Sequence, residues 1–428
     1  MILRLNYSFK TKNMINLKKA LFLLALIPAM VNAQENVDKP AFGIKFTGFV
    51  KNDVFFDTRQ TVDIREGHFL LYPQNVKNDI NQKDINATPN FNMLAIQSRL
   101  TGNITGPDAF KAKTSGIIEG EFFGHSDADI NGFRLRHAYV KLNWNDKTEL
   151  IAGQTWNPLF IVQAFPEVIS FNTGVPFVPF ARNPQLRVSH KLGKLNVSAT
   201  AYAERDFASN GPKGASNIYM RNAAVPGSNV LVSYACGSNN IFGVGGDYKM
   251  IVPEIETTKG YVSRNSLGSL TATAFSKIKI KNTTWKLQAT FAQNAHDLTM
   301  LGGYAIKNTG YDTLTDIKEY TNYQTGSIWT ELYTVMGKYT CGVFGGFTKN
   351  FGTDYNILPQ STIYARGSNI AYVYRVSPRF MVTQEKTTIG LEVEYTTAAY
   401  GKANSLGEVE NAKEVSNIRG LLSFIYKF

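Results

Sequence analysis

From Gly43 to Asp57 the chain alternates in character. Ile44, Phe46, Gly48, Val50, Val54 and Phe56 share one parity, and Lys45, Thr47, Lys51, Asp53 and Asp57 share the other. A strand sends successive side chains to opposite faces, so this segment has one apolar and one charged face. The same period returns along the chain. Leu94, Ile96, Leu100 and Ile104 alternate with Gln97, Arg99, Thr101 and Asn103. Leu195, Val197, Ala199 and Ala201 alternate with Asn196, Ser198, Thr200 and Tyr202. Leu287, Ala289 and Phe291 alternate with Lys286, Gln288 and Thr290, and Ile389, Leu391, Val393 and Tyr395 flank Glu392 and Glu394. The last run sets Ile418, Gly420, Leu422, Phe424 and Tyr426 against Arg419, Ser423 and Lys427.

These runs reach about 9–14 residues, longer than the ~5–6 of globular strands and long enough for a tilted strand to cross a bilayer. Short polar turns join many of them, as at Gly106-Pro107-Asp108, Asn145-Asp146-Lys147 and Gly193-Lys194. The pattern predicts an all-β fold, a transmembrane antiparallel β-barrel of roughly 16 to 18 strands, with 16 preferred; bacterial barrels normally have an even number. In lipid a closed sheet satisfies every backbone group; its apolar face meets lipid and its charged face lines the lumen. A soluble sandwich would instead bury the apolar face against a second sheet. The strand length and the aromatics at strand ends favour the barrel.

The first residues add an address. Lys18 and Lys19 precede an apolar run from Ala20 to Ile27, then Pro28 and the small-residue site Val31-Asn32-Ala33. This is the layout of a secretory signal peptide over residues 1–33, and Met14 opens a more ordinary one than Met1. The mature chain then runs over residues 34–428. The leader holds Arg4, Lys10, Lys12, Lys18 and Lys19 and no acid, so cleavage lowers the net charge from +12 to +7. No basic block remains that would point to nucleic acid. The abundance of aromatics, 28 Phe and 21 Tyr, with a slightly negative mean hydropathy, excludes a bundle of apolar membrane helices. Cys236 and Cys341 are too few for a four-cysteine zinc site. They read as two small strand residues, or as a bridge if their strands lie close enough.

Long polar connections are predicted as solvated loops over 58–90, 205–229, 308–324 and 400–414. One connection differs. Residues 157–184 carry Pro158, Pro166, Pro176, Pro179 and Pro184 together with Phe160, Phe165, Phe171, Phe177 and Phe180. Proline stiffens it, and a solvated loop seldom exposes so much aromatic surface. It is predicted to fold into the barrel and narrow the lumen; a latch between subunits or an external apolar patch are the other readings. Cations gather near it. Arg99 faces the lumen by alternation, Arg134 and Arg136 share a face, and Arg182 and Arg187 bracket the loop's end. Such arginines favour anions, while Glu119, Glu121, Asp53 and Asp57 make the lumen mixed. Arg134 and Arg136 share parity with Val140, Leu142 and Trp144, so lumen-facing arginines require a β-bulge or a slip in that strand.

Several segments together resemble the DcaP-like trimeric porins of Gram-negative outer membranes. They are Gly48-Phe49-Val50-Lys51 leading to Asp57, Gln97-Ser98-Arg99-Leu100, Phe133-Arg134-Leu135-Arg136-His137-Ala138-Tyr139, Ala152-Gly153-Gln154-Thr155-Trp156 and Arg182-Asn183-Pro184-Gln185-Leu186-Arg187. The resemblance spans most of the mature chain. It implies a homotrimer in outer-membrane lipid, and passive uptake of small anions, dicarboxylates included, past Arg99, Arg134, Arg136, Arg182 and Arg187. The closing Phe424-Ile425-Tyr426-Lys427-Phe428 resembles the signal read by the barrel-assembly machinery. No cofactor, metal or catalytic residue is expected. Among rival functions, a barrel enzyme would need a nucleophile beside a histidine; Ser189 and His190 face opposite sides of one strand, and His137 is expected to pack rather than react. A plugged transporter would need a globular domain ahead of the first strand, where only Gln34 to Phe42 stand. A channel for hydrophobic solutes would use the aromatic loop as its lining.

Overall fold

The computed structural model describes residues 42–428, Ser238 excepted. The leader expected over residues 1–33 lies outside the described residues. Sixteen long staves follow one another: Gly43–Asp57, the broken stave Asn90–Leu94 with Arg99–Thr105, Lys113–Glu121, Arg134–Trp144, Thr148–Trp156, Arg182–Leu192, Leu195–Tyr202, Gly227–Cys236, Asn240–Ile251, Leu267–Ile280, Thr283–Gln293, Ile317–Met336, Tyr339–Thr353, Ile370–Gln384, Thr387–Ala403 and Val409–Lys427. Each pairs antiparallel with its neighbours, and the first pairs with both the second and the last, which closes the ring.

The outer face carries exposed Phe46, Val50, Ile118, Val140, Leu186, Val230, Val244 and Leu391. Tyr234, Phe242, Tyr339, Phe380 and Tyr426 sit near the short turns, and Phe56, Phe91 and Phe351 near the long-loop rim. An apolar belt between two aromatic girdles is what a bilayer accepts and water does not. The inner face of the same strands buries Lys51, Asp53, Asp57, Lys286, Glu331, Glu392, Glu394 and Arg419.

Two bulges reset the alternation. Between Leu94 and Arg99 the second stave has one residue more than the stretch of Gly43–Asp57 it faces, since Asp53 pairs with Leu94 and Phe49 with Arg99. Ser98 Oγ accepts from the Lys51 amide at 3.0 Å, replacing a ladder bond. The parity therefore flips, and the expected outward set is corrected: Phe91 and Met93 are exposed, while Ile96 is buried in the interior core and Leu94 packs against it. The second bulge lies in Arg134–Trp144. Glu119 pairs with His137 and Gly120 with Leu135, which leaves Arg136 as the extra residue. Arg134 and Arg136 thus both point inward, and Val140 still points out.

None of the four predicted surface loops is solvated throughout: residues 205–229 carry the short helix Ile218–Ala223 with Tyr219 and Met220 buried, and run into the strand Gly227–Cys236. Residues 308–324 form parts of Gly302–Asp312 and of the twenty-residue strand Ile317–Met336, paired as a hairpin beyond the rim. Residues 400–414 are the ends of two paired strands. In the 58–90 connection, Thr61–Ile64 and Phe69–Pro73 form a hairpin whose Phe69, Leu70, Leu71 and Tyr72 are all buried. The apolar run Phe69-Leu70-Leu71-Tyr72 carried that signal inside an otherwise polar stretch. Cys236 and Cys341 are free and exposed.

The seam depends on one glycine. Gly48 and Phe428 exchange backbone hydrogen bonds at 3.2 and 3.1 Å. A Cβ on Gly48 would lie 2.1 Å from the Arg99 carbonyl oxygen and 2.8 Å from the Phe428 ring. Gly48→Val should therefore prevent closure, because backbone on one side cannot yield. The check is the compact, fast-migrating band of unheated protein on a denaturing gel; retention of that band would show that the seam tolerates a side chain.

Candidate functional site

The 157–181 segment turns into the barrel because the inner wall offers partners for its backbone. Buried peptide groups must be paired, and inward side chains do this on several staves. Gln288 donates to the Leu159 carbonyl at 3.1 Å, and Lys286 to that of Phe165 at 2.8 Å. Glu331 accepts from the Glu167 amide at 2.7 Å, and Glu392 from the amides of Ile169 and Ser170 at 2.5 and 3.0 Å. Lys51 donates to the Ile169 carbonyl at 2.6 Å and Ser327 to that of Phe177 at 2.8 Å. Arg375 holds two segments at once, the Val175 carbonyl and the Leu71 carbonyl of the first hairpin, both at 2.9 Å.

The five predicted phenylalanines are part of this fixing. Phe160 stacks on Trp156 at 4.1 Å and Phe165 on Phe160 at 5.6 Å. Phe171 stacks on Phe123 at 4.3 Å, Phe177 meets Phe344, and Phe180 meets Phe69. Phe160, Phe171, Phe177 and Phe180 belong to one core with Phe69, Leu71, Tyr72 and Trp329, and Phe165 packs against it. The apolar payload of such a cluster holds the segment in place.

Four of the five predicted arginines meet. Glu119 and Glu121 stand on one strand, with Arg99 on the strand before and Arg134 and Arg136 on the strand after. Arg136 approaches Glu121 at 2.6 Å and Glu119 at 2.8 Å. Arg134 reaches Glu121 at 2.8 Å, and Arg99 lies 3.4 Å from the other Glu121 oxygen. Arg134 also touches Asp206 at 3.2 Å, which binds Arg182 at 2.5 Å. Burial works against the Asp206 charge, but Arg182, Arg134 and Arg136 outweigh it and hold this loop carboxyl below its ordinary range. Four guanidiniums thus face three carboxylates. The mixed lumen expected from Glu119 and Glu121 thus takes the form of ion pairs that engage these arginines. Asp206 was not legible in advance, since it comes from the connection after Leu195–Tyr202. His137 packs edge-on to Trp156 and lies 3.7 Å from Glu119.

Arg187 stands apart. Its Nη2 donates to the Trp156 carbonyl at 2.8 Å. It lines a cavity of about 410 Å³ between the 158–163 stretch and the wall at the short-turn end. Asp146, Lys147, Glu149, Lys191 and Lys194 line the same cavity, so four cations face two carboxylates. Lys141 binds Glu149 at 3.1 Å, which offsets one of those carboxylates.

A closed ring of sixteen staves whose fifth connection, between Thr148–Trp156 and Arg182–Leu192, turns inward is a particular architecture. No protein-family model matches the sequence, and none of the curated proteins does. Solved structures do match. The outer membrane channel DcaP of Acinetobacter baumannii superposes with a TM-score of 0.66 at 16% identity, over 90% of this chain and 97% of that one. The fold is that of DcaP. OmpT, an outer-membrane protein of Vibrio cholerae, superposes with a TM-score of 0.53 at 11% identity, over 92% of this chain and 100% of that one. OmpT is also solved in a trimer form, with a TM-score of 0.53 at 10% identity over 91% of this chain and 100% of that one. The DcaP-like fold and its apolar belt are those of a membrane-spanning barrel.

Proposed function

We propose that this barrel is a passive porin. It lets small hydrophilic solutes, preferably anions such as dicarboxylates, diffuse through a lumen narrowed by the 157–184 loop. One observation carries the reading: the loop's backbone is bonded to inward side chains of the far wall, beside a cluster in which guanidiniums outnumber carboxylates. The surplus cations of the short-turn cavity add to the same bias. Fixed cations along a narrow aqueous path favour anion passage. The aromatic side chains pack into the loop's anchorage, which speaks for a polar path over a route for hydrophobic solutes. Diffusion needs no nucleophile, and the channel reading is preferred to a barrel enzyme because the site's charged groups are engaged in ion pairs across strands. The trimer is proposed from the architecture shared with OmpT, which has a trimer form. The terminal Phe428, on the seam strand, is proposed as the signal for the barrel-assembly machinery.

Reversal potential in a KCl gradient across a planar bilayer tests this. Ohmic channels with anion preference are expected. In Arg134→Ala/Arg136→Ala the cluster changes from four cations against three acids to two against three. Its sign inverts, so the potential should move toward the cation side. Unchanged selectivity would remove these arginines from the solute path, and folded protein without channels would overturn the porin.

A further inference from the structure

The short-turn cavity has two kinds of wall. Phe160 and Ile161 of the inward loop and Leu231 and Ile241 of the barrel form an apolar floor. Ile161 is buried with Ala164 and Phe275, and Leu231 and Ile241 pack against that group. Arg187, Lys191 and Lys194 stand around the floor, with Ser189, Ser198 and Ser233 between them. Lys191 and Lys194 are exposed, so the cationic side opens to water at the rim, while the apolar side is roofed by the loop.

We propose that this cavity is a solute-binding subsite for an amphipathic monoanion, a carboxylate or sulfonate carrying an alkyl or aryl body. The anionic head lies at Arg187, whose planar fork suits such oxyanions. The body lies on Phe160, Ile161 and Leu231, where it leaves water. A purely hydrophilic anion gains only the head contact, and an uncharged apolar solute only the floor. Concave sites with an apolar lining and a few convergent polar groups are the usual form of small-molecule sites. The cavity is large enough for a body of benzene-ring size, and the hydroxyls of Ser189, Ser198 and Ser233 offer further donors to the head. The subsite deepens the porin reading by naming a solute class, and rests on it only for the route by which the solute arrives.

The probe is p-toluenesulfonate, which stays charged at all working pH values; methanesulfonate has the same head without the body. Binding is followed by calorimetry on folded protein in amphipol, and KCl conductance is recorded from the same preparation. Saturable p-toluenesulfonate binding is expected, with methanesulfonate weaker by about tenfold or more. Arg187→Gln and Leu231→Asn should each weaken the first probe by about tenfold. Lys191→Gln/Lys194→Gln, on the exposed rim where folding is not at stake, should weaken both probes. Equal binding of the two probes, or p-toluenesulfonate binding that survives all these variants, would overturn the subsite. Channels without probe binding sink the subsite and leave the porin standing; probe binding without channels supports the subsite and sinks the porin.

Discussion

Deleting residues 161–178 should raise single-channel conductance by roughly twofold or more, since current follows the free cross-section of the narrowest stretch. The segment contributes Phe171, Val175, Phe177 and Val178 to the interior core. Its removal frees Lys286, Glu331 and Glu392 from the loop contacts that now occupy them, and Arg375 from its bond to Val175. Those side chains would then line a wider, wetter lumen. The barrel itself should survive, because every stave keeps its ladder to both neighbours and needs nothing from the loop. The first hairpin complicates the outcome in a useful way. Its Phe69, Leu71 and Tyr72 share the core, and Arg375 holds it alongside the loop. With the loop gone, the hairpin loses the contacts it makes with Phe171 and its neighbours, so the open current should also become noisier. Conductance equal to that of the intact chain would place the segment outside the solute path.

Glu121→Gln should destabilise the folded barrel by about 3–5 kcal/mol, the usual cost of removing one partner from a buried ion pair. Glu121 is fully buried, and three guanidiniums converge on it. Neutralising it leaves Arg134 and Arg136 with Glu119 and Asp206 as their remaining acidic partners. The cluster's surplus then grows from one positive charge to two. Anion preference should therefore rise while stability falls, the opposite electrical sign from the Arg134→Ala/Arg136→Ala variant. Because these groups share partners, the effects of combined variants should not add. Unfolding by heat, followed through loss of the compact gel band, reads the first effect, and reversal potential reads the second. A midpoint equal to that of the parent would mean that the arginines find other acceptors and that Glu121 is not the keystone of the cluster.

The pairing also refines how arginines in such a lumen are read from sequence. Arg99, Arg134 and Arg136 lie in alternating segments whose inward parity can be counted, and the need for a bulge or a slip between Arg136 and Val140 follows from that count alone. The structure supplies a bulge in that strand, with Arg136 as the extra residue. The other bulge escaped notice. Leu94, Ile96, Leu100 and Ile104 keep perfect alternation, so the pattern gave no warning that the backbone inserts a residue and turns Ile96 into the core. A pattern that remains self-consistent on either side of an inserted residue cannot announce the insertion.

The barrel, a count of 16 to 18 staves with 16 preferred, and the odd character of the proline- and phenylalanine-rich connection were legible in the sequence alone. Each rests on local chemistry: period-two alternation, strand length against bilayer thickness, and apolar residues where a solvated loop would carry polar ones. Long-range contacts decided the rest. Asp206 reaches Arg182 and Arg134 only because the connection after Leu195–Tyr202 bends over the wall. Phe69, Leu71 and Tyr72 enter the interior only because Arg375 and the inward loop are there to receive them. The apolar floor under Arg187 exists only because Ile161, far away in sequence, comes down onto Leu231 and Ile241. Alternation specifies which face a side chain takes. Which partner waits across the lumen depends on the diameter and closure of the ring, and those are properties of all sixteen staves together.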